Sequence, residues 1–249
     1  MPTTILVAGA TGAIGRRLLP RLVAAGHRVI GVTRDAAKAD GLLALGALPL
    51  VADVFDADRL RQSVMAAKPD IVIHQLTDLP RNLDPSRMEE GVRRNARIRG
   101  EGTANLVKAA EAAGVRRIVA QSIAWAYAPG PSRFAEDDAL DLAASGLRAI
   151  SVGGVAALEG AVLGAQGIEG VVLRYGQLWG DGTGTDTPDG KDMALHVDGA
   201  VSAALAALEH VPAGIYNIAD DDSRLNLDKA RRVLHWAPGT RADHVTSKA

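Results

Sequence analysis

Three glycines near the start of the chain, Gly9, Gly12 and Gly15, stand at every third residue. Glycine permits a tight turn and a close backbone approach, and the free N–H groups at the start of a helix can bind phosphate. A strand is predicted directly before these glycines and a helix directly after, which is typical of a dinucleotide-binding loop. The alternative is that the glycines only allow the helix to pack on the strand. The residues predicted to contact a diphosphate are Gly9, Thr11, Gly12, Ala13, Ile14 and Gly15.

The end of the second predicted strand carries Thr33 and Arg34 where many NAD-binding proteins have an acidic residue that binds the ribose 2′-hydroxyl. A carboxylate would repel a 2′-phosphate, whereas an arginine can bind it through two charge-assisted hydrogen bonds. Lys38 could add positive charge. We therefore predict NADP(H) as cofactor, with NAD(H) as second choice. Two alternatives stay open: Arg34 is a solvated surface residue, or Asp35 turns back towards the ribose.

The elements that must position these residues alternate between short apolar runs and longer helical patterns. This alternation predicts an α/β protein with a doubly wound parallel sheet, the Rossmann fold. We predict a single domain over 1–249, in which 176–249 forms a small substrate-binding cap. Predicted strands are 5–8, 28–33, 48–51, 71–74, 117–121, 169–174 and 215–218, and predicted helices are 13–25, 35–45, 57–67, 85–113, 150–165, 196–208 and 228–234.

The Gly-x-x-Gly-x-x-Gly spacing resembles the extended and atypical branches of the short-chain dehydrogenase/reductase superfamily, including the NAD-dependent epimerase/dehydratase family. Further segments carry the same resemblance: 53–54 after the third strand, 74–76 after the fourth, Asn95 in the long helix, 173–180 after the sixth strand and 196–198 at a helix start. The further cofactor contacts that the resemblance implies are Asp53, Val54, Gln75, Leu76, Asn95 and Tyr175.

The resemblance also implies a Ser or Thr after strand five and a Tyr-x-x-x-Lys pair on the next helix, in which the Lys lowers the pKa of the Tyr. Counting back from Glu159 puts Ser151 at the Tyr position and Val155 at the Lys position. The chain has no lysine between Lys108 and Lys191. Because valine cannot lower the pKa of a phenol, we do not expect the usual Tyr/Lys mechanism.

Tyr127 and Ser122 are the remaining candidates for catalysis, since both follow the fifth strand at the edge where ligands bind in such folds. Tyr127 is the candidate proton donor, and the alternative is that it only lines the cofactor pocket. Ser122 could bind the substrate or the nicotinamide amide, or could only cap the strand end.

Composition narrows the function. The chain has 28 Lys and Arg against 29 Asp and Glu and no cysteine, so we expect neither a nucleic acid partner nor disulfides, and no metal site. Neither a signal peptide nor a membrane span is expected, and a cytoplasmic location is the default. A homodimer through the helices near 86–113 and 146–165 is possible.

Three functions fit these observations. The first is an NADP(H)-dependent oxidoreductase or epimerase/dehydratase-like enzyme that acts on a small organic substrate without the Tyr/Lys pair. The second is a non-catalytic NADP(H) sensor that resembles the NmrA-like regulators. The third is an isomerase or cyclase-like pathway enzyme.

Overall fold

A seven-stranded parallel sheet, in the order β3-β2-β1-β4-β5-β6-β9, forms the centre of the protein in a computed structural model that describes residues 3–130, 133–190, 192–209, 211–220 and 223–240. All its strand pairs are parallel. The strands are β1 Thr4–Ala8, β2 Arg28–Thr33, β3 Leu48–Val51, β4 Ile71–His74, β5 Arg117–Ile123, β6 Glu169–Tyr175 and β9 Gly214–Ile218. A separate parallel pair is formed by β7 Gln177–Trp179 and β8 Ala194–His196.

Helices cover both faces of the sheet, because its central strands are apolar on both sides. The helices are α1 Gly15–Ala24, α2 Ala39–Ala44, α3 Ala57–Ala67, α4 Met88–Arg97, α5 Thr103–Ala113, α6 Gly146–Leu163, α7 Val197–Ala206 and α8 Asp228–Val233. Leu18 of α1 and Val201 of α7 belong to the core on one face. Leu60 of α3, Leu106 of α5 and Leu158 of α6 belong to the core on the other.

The order in which successive strands are added to the sheet reverses between β1 and β4, although all the strands stay parallel. After β1 it moves outwards to β2 and β3, and it then returns to place β4 on the other side of β1. Such a reversal leaves a crevice outside the carboxyl ends of the two strands, which is where ligands bind in open α/β sheets. Gly9 follows β1 and Gln75 follows β4, so both stand at this crevice.

The predicted fold class is confirmed, but several element boundaries differ. The predicted helix 85–113 consists of a 3-10 turn, α4, a π-helical segment Ile98–Gly102 and α5. α6 begins at Gly146 instead of residue 150, and β5 extends through Ile123. The segment 176–249 is not only a cap, since β9 pairs with β6 in the main sheet and α7 covers one of its faces.

In the described part of the chain, one helix, α6, is long and apolar enough to cross a membrane by length and composition alone. It has 18 residues with a mean hydropathy of 1.4. In the structure α6 packs against α4, β5 and β6, and it buries a charged residue, Glu159, near its middle. A core helix meets the same criteria of length and composition.

Candidate cofactor and active site

The glycine loop turns so tightly that two of its glycines cannot be replaced without a clash. Gly9 has a φ of +87°, and a Cβ there would lie 2.4 Å from the carbonyl oxygen of Gln75. A Cβ on Gly15 would lie 2.2 Å from the carbonyl oxygen of Gly9. Gly12 is exposed, and its N–H donates to the Gly9 carbonyl at 3.1 Å. Gly9 and Gly15 therefore fix the turn, and Gly12 leaves its outer surface open.

The start of α1 offers the donors that a diphosphate needs. The N–H groups of Ala13, Ile14 and Gly15 donate to no protein acceptor among the described residues. Free N–H groups at the first turn carry a partial positive charge and bind anions. Thr11 is exposed beside them. The predicted loop residues therefore fit a dinucleotide diphosphate.

Behind the loop, Gln75 is buried, yet neither Oε1 nor Nε2 of its amide has a hydrogen-bond partner in the described part of the chain. A buried, unsatisfied amide is unfavourable and points to a ligand that completes it. Leu76, next in sequence, is half-buried, and its N–H donates to Nδ1 of His74. Nε2 of His74 pairs with the Thr103 hydroxyl at 2.8 Å. Burial, together with the charge of Arg99, lowers the pKa of His74 to about 4, so this ring is neutral near pH 7.

The end of β2 places Arg34 at the surface. Its guanidinium lies 3.5 Å from the carboxylate of Asp78, which also pairs with Arg94 at 3.4 Å. Thr33 is buried, and its hydroxyl bonds to the backbone of Asp35. The Asp35 carboxylate accepts from the N–H of Ala37, so it caps the next turn rather than facing the β2 end.

The other expected cofactor contacts differ in what they can offer a ligand. Asp53 is exposed, and Val54 beside it is buried. Asn95 is buried, and its side-chain oxygen accepts from the N–H of Asp78 at 3.1 Å, which holds the segment after β4. Tyr175 is buried, and its hydroxyl donates to the carbonyl of Ala200 on α7. Tyr175 thus has a packing role, and its cofactor contact stays a prediction.

A loop after β7 lies over the start of α1. Asp181 pairs with Arg17 at 2.8 Å and with Arg16 at 3.6 Å. Gly182 comes so close to the Arg16 guanidinium that a Cβ there would overlap it. Both arginines are within two residues of the glycine loop in sequence. The loop after β7 therefore borders the diphosphate site.

At the ends of β5 and β6, a buried network joins three polar side chains. Glu159 accepts two hydrogen bonds from Arg174, at 2.9 and 2.7 Å, and one from the Ser122 hydroxyl at 2.7 Å. All three residues are less than 5% exposed. Ser122 therefore already has a protein partner, and its catalytic role stays a prediction.

Tyr127 is buried beside this network. Its hydroxyl donates to Oδ1 of Asn217 at 2.6 Å, and its ring stacks on Phe134 with centroids 4.9 Å apart. The Arg174 guanidinium lies 4.8 Å from the ring centroid. Burial raises the pKa of the Tyr127 phenol despite the nearby Arg174 charge, so the hydroxyl keeps its proton at neutral pH. Its role as proton donor also stays a prediction.

Ser151 and Val155 lie one turn apart on α6, and Val155 is fully buried. The only hydrogen bond between a side chain and Ser151 in the described residues comes from Arg99, at 3.5 Å. The sequence analysis did not single out Arg99. An arginine beside Gly100 and Gly102 inside a helical pattern is the one signal that could have drawn attention to it.

Two cavities open next to these residues and share Trp125 and Arg148. The larger, about 370 Å³, has four charged residues in its wall, Asp141, Arg148, Asp192 and Arg224. Arg148 is neutralised by Asp141 at 2.6 Å, whereas the Arg224 side chain has no ion-pair partner in the described residues. The smaller, about 240 Å³, is lined by Ser151 together with apolar side chains such as Val92, Ile123 and Val152. Tyr127 and Gln177 line the larger cavity, which makes it the candidate substrate pocket.

Comparisons with known proteins identify the family of the chain. A family model described as NAD(P)H-binding matches residues 9–207. A curated relative from Streptomyces, 3-diazoavenalumate denitrifying reductase, is 42% identical over 238 residues, which is 88% of this chain and 76% of the relative. A UDP-glucose 4-epimerase from Mycolicibacterium smegmatis is 33% identical over 119 residues, which is 46% of this chain and 36% of that protein.

Solved structures share the fold at low identity. The Bordetella bronchiseptica enzyme WbmG in complex with NAD has a TM-score of 0.74 at 19% identity, over 96% of this chain and 90% of that one. A short-chain dehydrogenase/reductase superfamily protein from Agrobacterium tumefaciens with bound NAD has a TM-score of 0.74 at 18% identity, over 96% and 94%. These two proteins bind NAD, whereas the family description covers both nicotinamide dinucleotides.

Proposed function

Because this chain belongs to the NAD(P)H-binding family of extended short-chain dehydrogenase/reductase proteins, we propose that it is an NADPH-dependent reductase whose small aromatic substrate takes up hydride without a proton from the enzyme. The observation that carries the proposal is that the candidate proton donors at the ends of β5 and β6 already have hydrogen-bond acceptors within the protein. Both hydroxyl groups already donate a hydrogen bond to a protein acceptor: Ser122 donates to Glu159, and Tyr127 donates to Asn217. No tyrosine in the chain is followed four residues later by a lysine.

The bound dinucleotide supplies the hydride. The glycine loop and the start of α1 would hold its diphosphate, and the Gln75 amide would gain its missing partners beside it. Trp125, Phe134 and Met193 line the larger cavity and would exclude water from one face of a planar substrate. The role of the protein is then to align substrate and cofactor and to keep the space between them dry.

The substrate class follows from the balance of protons. Reduction of a carbonyl consumes one hydride and one proton. Replacement of an aryl diazonium group by hydrogen, R–N₂⁺ + H⁻ → R–H + N₂, consumes a hydride and no proton. A site without a free acid suits the second reaction, and the relative that is 42% identical is named as a denitrifying reductase of a diazo compound. We therefore propose an aryl diazonium compound as the substrate of this chain.

The proposal is tested by following proton uptake together with NADPH oxidation. Purified protein is mixed with NADPH and diazotised 3-aminocinnamate, or with a panel of aldehydes and ketones, and a reaction without enzyme gives the blank. We expect one N₂ released for each NADPH oxidised and no net proton uptake. Turnover of a carbonyl substrate, with one proton taken up per NADPH, would refute the proton-free reaction. Tight cofactor binding with no turnover of any substrate would favour the sensor hypothesis.

The preference for NADPH is tested at Arg34. The contact of Arg34 with Asp78 is exposed and 3.5 Å long, so breaking it costs little free energy. Arg34 can therefore turn to a 2′-phosphate. A charge-assisted hydrogen bond contributes roughly 1.5–3 kcal/mol, so Arg34→Ala should weaken NADPH binding by about 10- to 100-fold and leave NADH binding nearly unchanged. Arg61→Ala, at an exposed arginine on α3, is the control. Equal loss for both cofactors would refute the role of Arg34.

A further inference from the structure

Arg99 lies on the π-helical segment between α4 and α5, and its side chain is directed into the protein. The residue is 7% exposed, although arginine is almost never buried without a partner. π-helical turns inside α-helices recur at functional sites, because the extra residue redirects side chains that a regular helix would place elsewhere. The segment Ile98–Gly102 is the one π-helical segment in the described residues.

The charge of Arg99 has no counter-ion in contact. Its one hydrogen bond to a side chain, from Nη1 to the Ser151 hydroxyl, is long at 3.5 Å. Glu159 attracts it from a distance, but no carboxylate of the described residues lies within 4.0 Å of it. Burial lowers the pKa of Arg99 to about 10, which still leaves the group charged at neutral pH. A buried cation without a counter-ion in contact is unfavourable unless a ligand supplies one.

The guanidinium reaches towards the edge of the sheet where ligands bind. α4 and α6 touch at Ala96 and Gly154, where a Cβ on Gly154 would lie 3.0 Å from the Cα of Ala96. Helical side chains tilt towards the start of their helix, so Arg99 reaches back along α4 to Ser151, one turn before Gly154. Ser151 lines the cavity of about 240 Å³, which shares Trp125 and Arg148 with the larger cavity. Arg99 therefore stands behind the Ser151 wall of the smaller cavity, which adjoins the candidate substrate pocket.

We propose that Arg99 and Ser151 form a subsite that binds an oxyanion of the substrate, either a carboxylate or a phenolate. The inference rests on the proposed function in taking this oxyanion to belong to the hydride acceptor. A simple diazonium cation would be repelled by a buried guanidinium, so the acceptor must also carry a negative charge. The substrate class narrows to aryl diazonium compounds that bear an oxyanion. Arg99 stays charged throughout and transfers no proton.

The test measures binding rather than turnover, so its result does not depend on whether the protein is a reductase. With NADP⁺ at saturation, the affinities of cinnamate, 4-nitrophenolate and neutral cinnamamide are measured by calorimetry. The wild-type protein should bind at least one of the two anions about tenfold or more tightly than cinnamamide. Whichever anion is preferred distinguishes a carboxylate from a phenolate subsite.

Three variants assign that preference to Arg99. Arg99→Met, neutral and of similar length, should abolish the preference while its Tm stays equal to or above that of the wild type, because a buried unpaired charge is removed. Arg99→Lys should keep part of the preference. Arg117→Met is the matched control, since Arg117 is also buried but already bonds to Glu169 and to two backbone carbonyls. It should lower the Tm and leave the preference for anions intact.

Three outcomes would overturn the proposal. The first is equal affinity of the wild-type protein with NADP⁺ bound for all three probes. Arg99→Met could retain the full preference for anions. Finally, Arg99→Met could unfold or lose many degrees of Tm, which would make Arg99 a structural residue. Failure of the reductase assay alone would leave the subsite supported, and failure of the binding assay alone would leave the reductase supported.

Discussion

The carboxyl edge of the sheet has two halves that treat polar groups in opposite ways. The cofactor half, made of the glycine loop and the ends of β2 and β4, leaves donors free: three N–H groups at the start of α1 and the Gln75 amide. The reaction half, made of the ends of β5 and β6 and the start of α6, satisfies its groups internally, with Ser122 and Arg174 on Glu159. Donors without a protein partner indicate where a ligand is expected to bind. Side chains that already bond within the protein, such as Ser122, Glu159 and Arg174, instead shape the pocket. Arg99 is the exception, because it brings an unmatched charge to the reaction half.

The largest expected effect tests whether the closed network is structural. Glu159→Gln removes the charge that Arg174 needs and leaves a guanidinium buried without its partner. Breaking a buried pair in this way costs about 3–5 kcal/mol of the free energy of unfolding, measured by urea denaturation. Ser122→Ala is the control, because it removes one hydrogen bond and should cost about 1 kcal/mol. If both variants lost equally little, the carboxylate of Glu159 would be available to a ligand and the two halves would be alike.

The next effect tests the cofactor half. Gly15→Ala places a Cβ 2.2 Å from the Gly9 carbonyl oxygen and 2.7 Å from the Cα of Ala10, so the loop must open. We expect NADPH affinity to fall by about 100-fold or more, equivalent to about 3 kcal/mol, in a fluorescence titration. Gly160→Ala is the control, since nothing lies within 4 Å of that position on α6. It should leave affinity unchanged and stabilise the helix by up to about 1 kcal/mol. Tight NADPH binding by Gly15→Ala would separate the cofactor site from this loop.

The two halves also differ in how far the sequence predicts them. The loop at Gly9–Gly15 was predictable because its function depends on backbone geometry, and only glycine supplies that geometry between a strand and a helix. The fold class was also predictable, because the alternation of strands and helices can be read from short stretches of the sequence. By contrast, the start of α6 at Gly146 and the strand β8 were missed, because a glycine as first helical residue looks like a break in the helical pattern and a strand of three residues has too few positions to show a period.

The network in the reaction half could not be predicted from spacing. Ser122 and Arg174 stand 37 and 15 residues from Glu159, so only the folded sheet brings them together. A charged residue inside an apolar helix and another inside an apolar strand do suggest a buried pair, and this was the available signal. The sequence signal for Arg99 was weaker, since its burial depends on a π-helical turn that no simple sequence pattern reveals.

A pH effect on stability comes from His74, between the two halves. Its pKa is about 4 in the folded protein against 6.5 for a free histidine, so only the unfolded chain takes up a proton between these values. The contribution of His74 is therefore complete above pH 6.5 and is lost as the pH falls towards 4. Between pH 7 and pH 5 the free energy of unfolding should fall by about 2 kcal/mol from this group.

The variant His74→Gln isolates that effect, because glutamine does not titrate. Its own free energy of unfolding is expected to be lower at pH 7, since Thr103 and the Leu76 N–H lose their ring partner. Its decline from pH 7 to pH 5 should nevertheless be about 2 kcal/mol smaller than in the wild type. Parallel pH curves for the two proteins would show that the ring is accessible to protons in the folded state.

The smallest expected effect decides whether the reaction half contains an acid. Tyr127→Phe removes the hydrogen bond to Asn217 and should cost about 1–2 kcal/mol of stability. If Tyr127 only shapes the pocket, kcat should change by less than about threefold, well below the 100-fold or more of a general acid. Tyr175→Phe is the matched control, because that hydroxyl is equally buried and bonds to the carbonyl of Ala200. A loss of kcat in Tyr127→Phe alone, at unchanged NADPH affinity, would make Tyr127 the proton donor. The reaction would then consume a proton, and a carbonyl group would replace the diazonium group as the hydride acceptor.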